Sequence, residues 1–254
     1  MTLPPARGAE PEGSADEQSA GKAVQAMFNG IAPRYDFLNH VLSANIDRVW
    51  WKRAAHTFAH ILKKPEAFVL DVCCGTGDMT SALLRHRPLN GQPVIALDFA
   101  EAMLARAREK FDSRELACFN VQTIQADALH MPLPESSIDL ITTAFGFRNL
   151  ANYEAGLREF HRVLCPGGEL GILDFSEPRG LLGAGYQLYF RHVLPRIGKL
   201  LSGSGASYEY LPRSVHRFPP PADMLAMLRA CGFEDATWTP YTFGIAGLYR
   251  AVKA

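Results

Sequence analysis

The sequence lacks an excess of either charge: 26 Lys and Arg stand against 26 Asp and Glu in 254 residues. That balance offers no global attraction to nucleic acid, and the clusters of aromatics with lysines that grip single strands are missing too. Cysteine is scarce and badly spaced. Cys73, Cys74, Cys118, Cys165 and Cys231 are odd in number and form no C-x-x-C. An adjacent pair makes poor ligands for one tetrahedral ion and a poor disulfide. The cysteines therefore read as reduced thiols packed as small hydrophobes, which suits a cytoplasmic protein. No run approaches the ~18 consecutive apolar residues of a membrane span. The opening "MTLPPARGAEPEGSADEQSAGK" has no apolar segment of the secretory kind. Residues 1–20 are expected to form a mobile tail, because Pro, Gly, Glu and Ser bury too little surface to order themselves.

What is present is alternation. "AFVLDV" (67–72), "PVIALDF" (93–99), "NVQTIQAD" (120–127), "IDLITTAF" (138–145) and "GELGILDF" (168–175) read as short buried strands. "DMTSALLRHR", "AEAMLARAREKF" and "NYEAGLREFHRVL" between them carry helical periodicity. Near-continuous apolar strands alternating with helices predict an α/β fold with a parallel sheet covered on both faces. "ADMLAMLRACGF" adds a helix, and two strands near 235–242 and 245–253 predict an antiparallel hairpin at the end. Before the sheet, residues 21–62 read as helices, with Met27, Phe28, Ile31, Tyr35, Leu38 and Leu42 at helical spacing. Residues 179–217 interrupt the alternation with a further helical pattern, a buried insertion or a lid that touches a membrane. Residues 21–254 are expected to form one domain.

"DVCCGTGD" runs from a strand through Gly75-Thr76-Gly77 into a helix. Such a loop lies at the carboxyl end of the sheet, where ligands bind in open α/β folds. Asp98 stands at the tip of the second strand, placed to hold ribose hydroxyls. A dinucleotide fingerprint would put a third glycine at Thr80, and a pyrophosphate wants a helix N-terminus free of carboxylates. Here Asp71 and Asp78 flank the loop. Their charge suits the ammonium and sulfonium of S-adenosylmethionine. Asp127, ending the third strand, could accept from the adenine amino group, leaving the Ala128 amide for a ring nitrogen.

The runs "MFNGIAPRYDFLNHVLS…DRVWW", "LDVCCGTGD", "FGFRNL", "RVLCPGGEL…LDFSEP" and "YEYLPRSVHRFPP" resemble those of the ubiquinone/menaquinone biosynthesis C-methyltransferases, from about Val24 to the C-terminus. The resemblance implies a class I S-adenosylmethionine-dependent methyltransferase fold, with Thr76, Asp98, Asp127 and Ala128 on the cofactor. Ala144 stands where many members have serine, and Asn45 where many have glycine. The implied reaction is C-methylation of a polyprenylated quinol, demethylmenaquinol or a methoxy-benzoquinol. The implied setting is cytoplasmic, with transient contact at the inner face of a membrane.

The chemistry needs an electron-rich ring carbon, so the acceptor should be the quinol, whose hydroxyl has a pKa of about 10. Groups that favour its phenolate would raise the rate. Arg148 and Asn149 follow the fourth strand at its carboxyl end. Arg148 is either a phenolate stabiliser or the partner of a structural carboxylate. Tyr35 and Asn39 could close over the acceptor, although Tyr35 could equally be a core aromatic. Tyr210 is a further candidate for the same wall, whereas His216 is not expected to act as a base. The competing classes are an NAD(P)-dependent oxidoreductase and a non-catalytic quinone-binding module.

Overall fold

Strand β1 (Val69–Val72) is buried at all four positions, because alternate side chains enter two different cores. Val69 packs with helices on one face of the sheet and Leu70 with helices on the other. The computed structural model of the chain describes residues 8–9, 11, 14, 16–32, 35, 45–178 and 206–254. Its remaining strands are β2 (Val94–Asp98), β3 (Val121–Gln125), β4 (Ile138–Ala144), β5 (Leu164–Phe175), β6 (Phe233–Tyr241) and β7 (Ala246–Lys253). They form one sheet in the order β3-β2-β1-β4-β5-β7-β6. The first five are mutually parallel, and β7 runs antiparallel to both β5 and β6. The last strand thus inserts between β5 and its own hairpin partner. The fold is the expected doubly wound sheet with an antiparallel end.

The helices are α1 (Glu17–Ile31), α2 (Ile46–Thr57), α3 (Ala59–Leu62), α4 (Asp78–Leu84), α5 (Glu101–Phe111), α6 (Tyr153–Val163), α7 (Ala206–Arg217) and α8 (Pro221–Ala230). Trp50, Leu62, Leu83 and Leu104 of α2 to α5, with Phe58 between α2 and α3, cover one face. Leu157, Phe160, Met224 and Leu228 of α6 and α8 cover the other. Among the described residues, no helix is long and apolar enough to cross a membrane.

Two boundaries differ from the sequence expectation. Helix α1 begins at Glu17, inside the stretch read as a tail. Asp16 caps it by accepting from the Ser19 amide at 2.7 Å, the Ser19 hydroxyl side chain caps the Asp16 amide in return, and Ala20 and Val24 are buried. The "CPGGEL" turn does not separate α6 from β5. Leu164 already pairs with Ile138, the ladder resumes at Glu169 opposite Leu140, and residues 165–168 bulge between them. Pro33, Asn39 and residues 179–205 lie outside the described residues, and with them most of the expected insertion and one proposed acceptor contact.

Candidate active site

The loop after β1 is held open by backbone geometry that its residue types would not choose freely. Cys73, Gly75 and Gly77 all have positive φ, at 55°, 55° and 85°. Gly77 must be glycine for a second reason: a Cβ there would lie 2.6 Å from the Phe111 ring of α5. At Gly75 a Cβ would meet no protein atom within 4 Å. The loop therefore turns sharply into α4 and presents its backbone to a cavity of about 720 Å³ at the carboxyl ends of β1 to β4. Gly75 and Thr76 line that cavity, whereas Gly77 stands behind it on α5.

Asp98 is buried at the tip of β2 and lines the cavity. Its carboxylate accepts from the Gly75 amide at 2.8 Å and the Ala100 amide at 2.9 Å, so it shapes the loop as well as facing the ligand space. Burial pushes its pKa up to about 6, against the opposing pull of those amides. Asp127 lies more open, accepting from the Leu129 amide at 2.9 Å. Among the described residues no acceptor takes the Ala128 amide. Asp98, Asp127 and Ala128 all line the cavity, at the positions where the sequence reading expects a ribose and an adenine.

The expected role of Asp71 is corrected. Its carboxylate is fully buried and outside the cavity lining, accepting from the hydroxyls of Thr80 at 2.6 Å and Thr142 at 2.9 Å. Burial raises its pKa to about 7. Thr80, which stands where a dinucleotide fingerprint would have glycine, thus ties β1 to α4. Asp78 does reach the cavity, but Lys110 pairs with it at 2.7 Å. Of the other carboxylates that line the cavity, Asp98 accepts from backbone amides, Asp127 has the His130 ring 3.8 Å away, and Glu17 accepts from Asn152.

A further wall of the cavity is built where β4 stops. Phe145 has φ 56°, and Gly146 is pressed so close to Cys73 that a Cβ would lie 2.4 Å from the Cys73 Cβ. This kink turns Ala144, Phe145, Gly146 and Asn149 to the cavity. Phe145 packs on Phe175 with ring centroids 4.6 Å apart and on Trp50 and Trp51, giving an aromatic floor. Tyr35 lines the same space and meets Phe28 of α1 edge to face. Tyr210 donates from its hydroxyl to Asn149 Oδ1 at 3.1 Å, so it steadies a cavity residue without lining the cavity.

Arg148 takes the structural alternative. It is 5% exposed and outside the cavity lining. Nη1 donates to Asp174 Oδ1 at 2.9 Å and to the Phe145 carbonyl, and the Arg148 amide donates to Asp174 Oδ2 at 3.1 Å. Burial alone would favour a neutral guanidine, but Asp174, helped by the nearby Tyr35 and Tyr210, holds the proton more tightly than usual. Its Nε–H is buried without a partner among the described residues.

Sequence reasoning missed Asp174 and the part played by α1. Glu17, Gln18, Gly21, Lys22 and Gln25 form one wall of the cavity. Gln25 Nε2 donates to the Phe99 carbonyl at 2.5 Å, and Asn29 Oδ1 accepts from the Ala102 amide at 3.0 Å, which fastens α1 over the β2–α5 junction. The signal was available as Asp16 and Ser19 at capping spacing. Of the two cysteines of the loop, Cys73 is half-buried and Cys74 buried, and desolvation, with the nearby carboxylates, drives both thiol pKa values well upward, so neither is a thiolate nucleophile at neutral pH.

Comparison with known proteins places the geometry. The chain is 47% identical over 239 residues to the demethylmenaquinone methyltransferase of Deinococcus radiodurans, covering 94% of this chain and 95% of that one. It is 41% identical to the ubiquinone/menaquinone biosynthesis C-methyltransferase UbiE of Geobacter sulfurreducens, covering 92% and 89%. Among solved structures, the [4+2]-cyclase SpnF shares the fold with a TM-score of 0.65 at 16% identity, covering 98% of each chain. A SAM-dependent methyltransferase from Aquifex aeolicus does so with a TM-score of 0.55 at 22% identity, covering 76% of this chain and 85% of that one. The family model for ubiE/COQ5 methyltransferases matches residues 14–253, and the chain belongs to that family.

Proposed function

We propose that the protein transfers the methyl group of S-adenosylmethionine to a ring carbon of a polyprenylated quinol, and that the quinol is demethylmenaquinol. One observation carries this most directly: a single cavity joins the carboxylates Asp98 and Asp127 at one end to the aromatic floor of Phe145 and Trp51 at the other. Bound there, S-adenosylmethionine supplies a sulfonium methyl open to displacement by a carbon nucleophile. The residues present do the rest. Asp98 and Asp127 hold the nucleoside, and α1 closes the wall. Phe145 and Trp51 exclude water from the ring and favour an aromatic acceptor. Tyr35 and Asn149 bring polar groups to the same end of the cavity, where they would orient a ring hydroxyl. Arg148 acts as a positioning residue: its bond to the Phe145 carbonyl fixes the kink that presents Phe145 and Asn149, and its paired charge lies behind the hydroxyl-binding wall.

The acceptor must be reduced, since a quinone ring carbon is electrophilic. The proposed setting is the cytoplasm, at the inner face of the membrane that dissolves the prenyl tail. A methoxy-benzoquinol is the second acceptor to consider, because the Geobacter relative is named for both ubiquinone and menaquinone biosynthesis. The test is an anaerobic assay with an isotopically labelled methyl donor and each quinol in turn. Turnover of demethylmenaquinol well above the benzoquinol supports the assignment; the reverse order reassigns the substrate, and no transfer to either refutes it.

A further inference from the structure

The exposed side of α2 is unlike the rest of the surface. Five large hydrophobic side chains stand out among the described residues, and three of them, Ile46 at 39%, Val49 at 61% and Phe243 at 79% exposure, belong to this one region. The two parts touch directly. Trp50 Nε1 donates to Thr242 Oγ1 at 2.8 Å, and the Arg53 guanidinium lies 4.4 Å from the centre of the Tyr241 ring. The outward positions of α2 are Ile46, Arg48, Val49, Lys52, Arg53 and His56, with no carboxylate among them, since Asp47 is buried.

Phe243 gains nothing for folding from its position. Thr242 and Phe243 are both held at positive φ, 44° and 58°, a conformation costly for a β-branched and an aromatic residue. Gly244 follows at φ 86°, and its carbonyl is pinned by the Ser176 hydroxyl at 2.7 Å. The turn between β6 and β7 is thus locked in the shape that pushes a phenyl ring into water. Aliphatic and aromatic side chains projecting beside three exposed basic side chains match the chemistry of an anionic lipid surface, which takes apolar groups below its headgroups and cations at them. The patch also adjoins the acceptor end of the cavity, since Trp50 and Trp51 of the same helix pack on Phe145.

We infer that Ile46, Val49 and Phe243, flanked by Arg48, Lys52 and Arg53, form a docking surface for anionic lipid bilayers, set at the rim of the acceptor site. That the lipid also delivers the acceptor rests on the function proposed above; the surface does not. Flotation of the full chain with phosphatidylglycerol vesicles, and with phosphatidylcholine vesicles as control, tests it. The wild type should float with the anionic vesicles, weakly with the neutral ones, and less at high salt. Val49→Ser with Phe243→Ser should lower the partition about tenfold, and Arg48→Ala with Lys52→Ala by a similar factor. Both variants should keep the wild-type melting temperature and methylate a short-chain, water-soluble quinol at the wild-type rate. Failure of the wild type to float, or equal flotation of the serine variant, overturns the inference. So does a lower melting temperature or an altered sedimentation coefficient in that variant, which would show the patch packed on this chain or on a second copy. If the variants float less but the wild type methylates no quinol, the lipid surface stands and the proposed function falls.

Discussion

Asp174→Asn should destabilise the protein severely although it keeps size and shape. The Asp174 carboxylate is fully buried and receives three donors: Arg148 Nη1 at 2.9 Å, the Arg148 amide at 3.1 Å and the Phe175 amide at 2.8 Å. An asparagine can keep its oxygen toward two of them, but its NH2 then faces the third, donor against donor. The larger loss is electrostatic, because the Arg148 guanidinium is left buried without a counter-charge. Breaking one partner of a buried pair costs about 3–5 kcal/mol. For a chain of this size that is a fall of about 6–10 °C in melting temperature. Urea unfolding and thermal melts of the variant against wild type measure it. Arg148→Met combined with Asp174→Leu should recover part of the loss, since no charge is then stranded. A stability change below about 1 kcal/mol for Asp174→Asn would refute the assignment of Arg148 to a structural ion pair.

Three further outcomes follow from the site. Asp98→Ala should weaken S-adenosylmethionine by about 1.5–3 kcal/mol in a calorimetric titration, through loss of a charged acceptor and of the Gly75 contact; unchanged affinity in a folded variant would place the ribose elsewhere. The buried Asp71 has a folded pKa raised to about 7 from 3.8, so the unfolded chain gives up this proton first as pH rises. Stability at this site is therefore full below about pH 4 and is lost between there and about pH 7, and Asp71→Asn should flatten that part of the pH–stability curve; a curve unchanged in shape would show the residue ionised in the fold. Cys73→Ala should keep methyl transfer, with a stability change of about 1 kcal/mol, and loss of turnover in a folded, cofactor-binding variant would make the thiol part of the chemistry.

Much of the architecture was legible because it rests on patterns that survive in one dimension. Five apolar runs with helices between them allow few arrangements, and the carboxylates at the tips of the second and third strands fall on the ligand side by topology alone. What stayed hidden depended on which way a side chain turns. Asp71 looked like part of the loop, but in β1 it faces Thr80 and Thr142 rather than the cavity. Arg148 and Asp174 are 26 residues apart and meet because β4 and β5 run parallel with Ala144 opposite Leu173. That register sets the acid beside the turn after β4, and an acid ending the neighbouring strand was the available clue. Arg87 ends the run "DMTSALLRHR", which reads as a helix, but the helix stops at Leu84. Arg87 is buried instead, donating to the carbonyls of Leu62, Lys64, Ala67 and Gln92. No local pattern marks such a residue, because its partners are backbone atoms of other segments.

Carbon methylation of a reduced ring is the central claim, and the position of the transferred methyl tests it most directly. The protein is incubated without oxygen with 13C-methyl-labelled S-adenosylmethionine and demethylmenaquinol, and the extracted product is examined by NMR. The label should appear as a methyl group on a ring carbon, and the same incubation with the oxidised quinone should give no labelled product. A label found on oxygen, or equal labelling of quinone and quinol, would contradict the account.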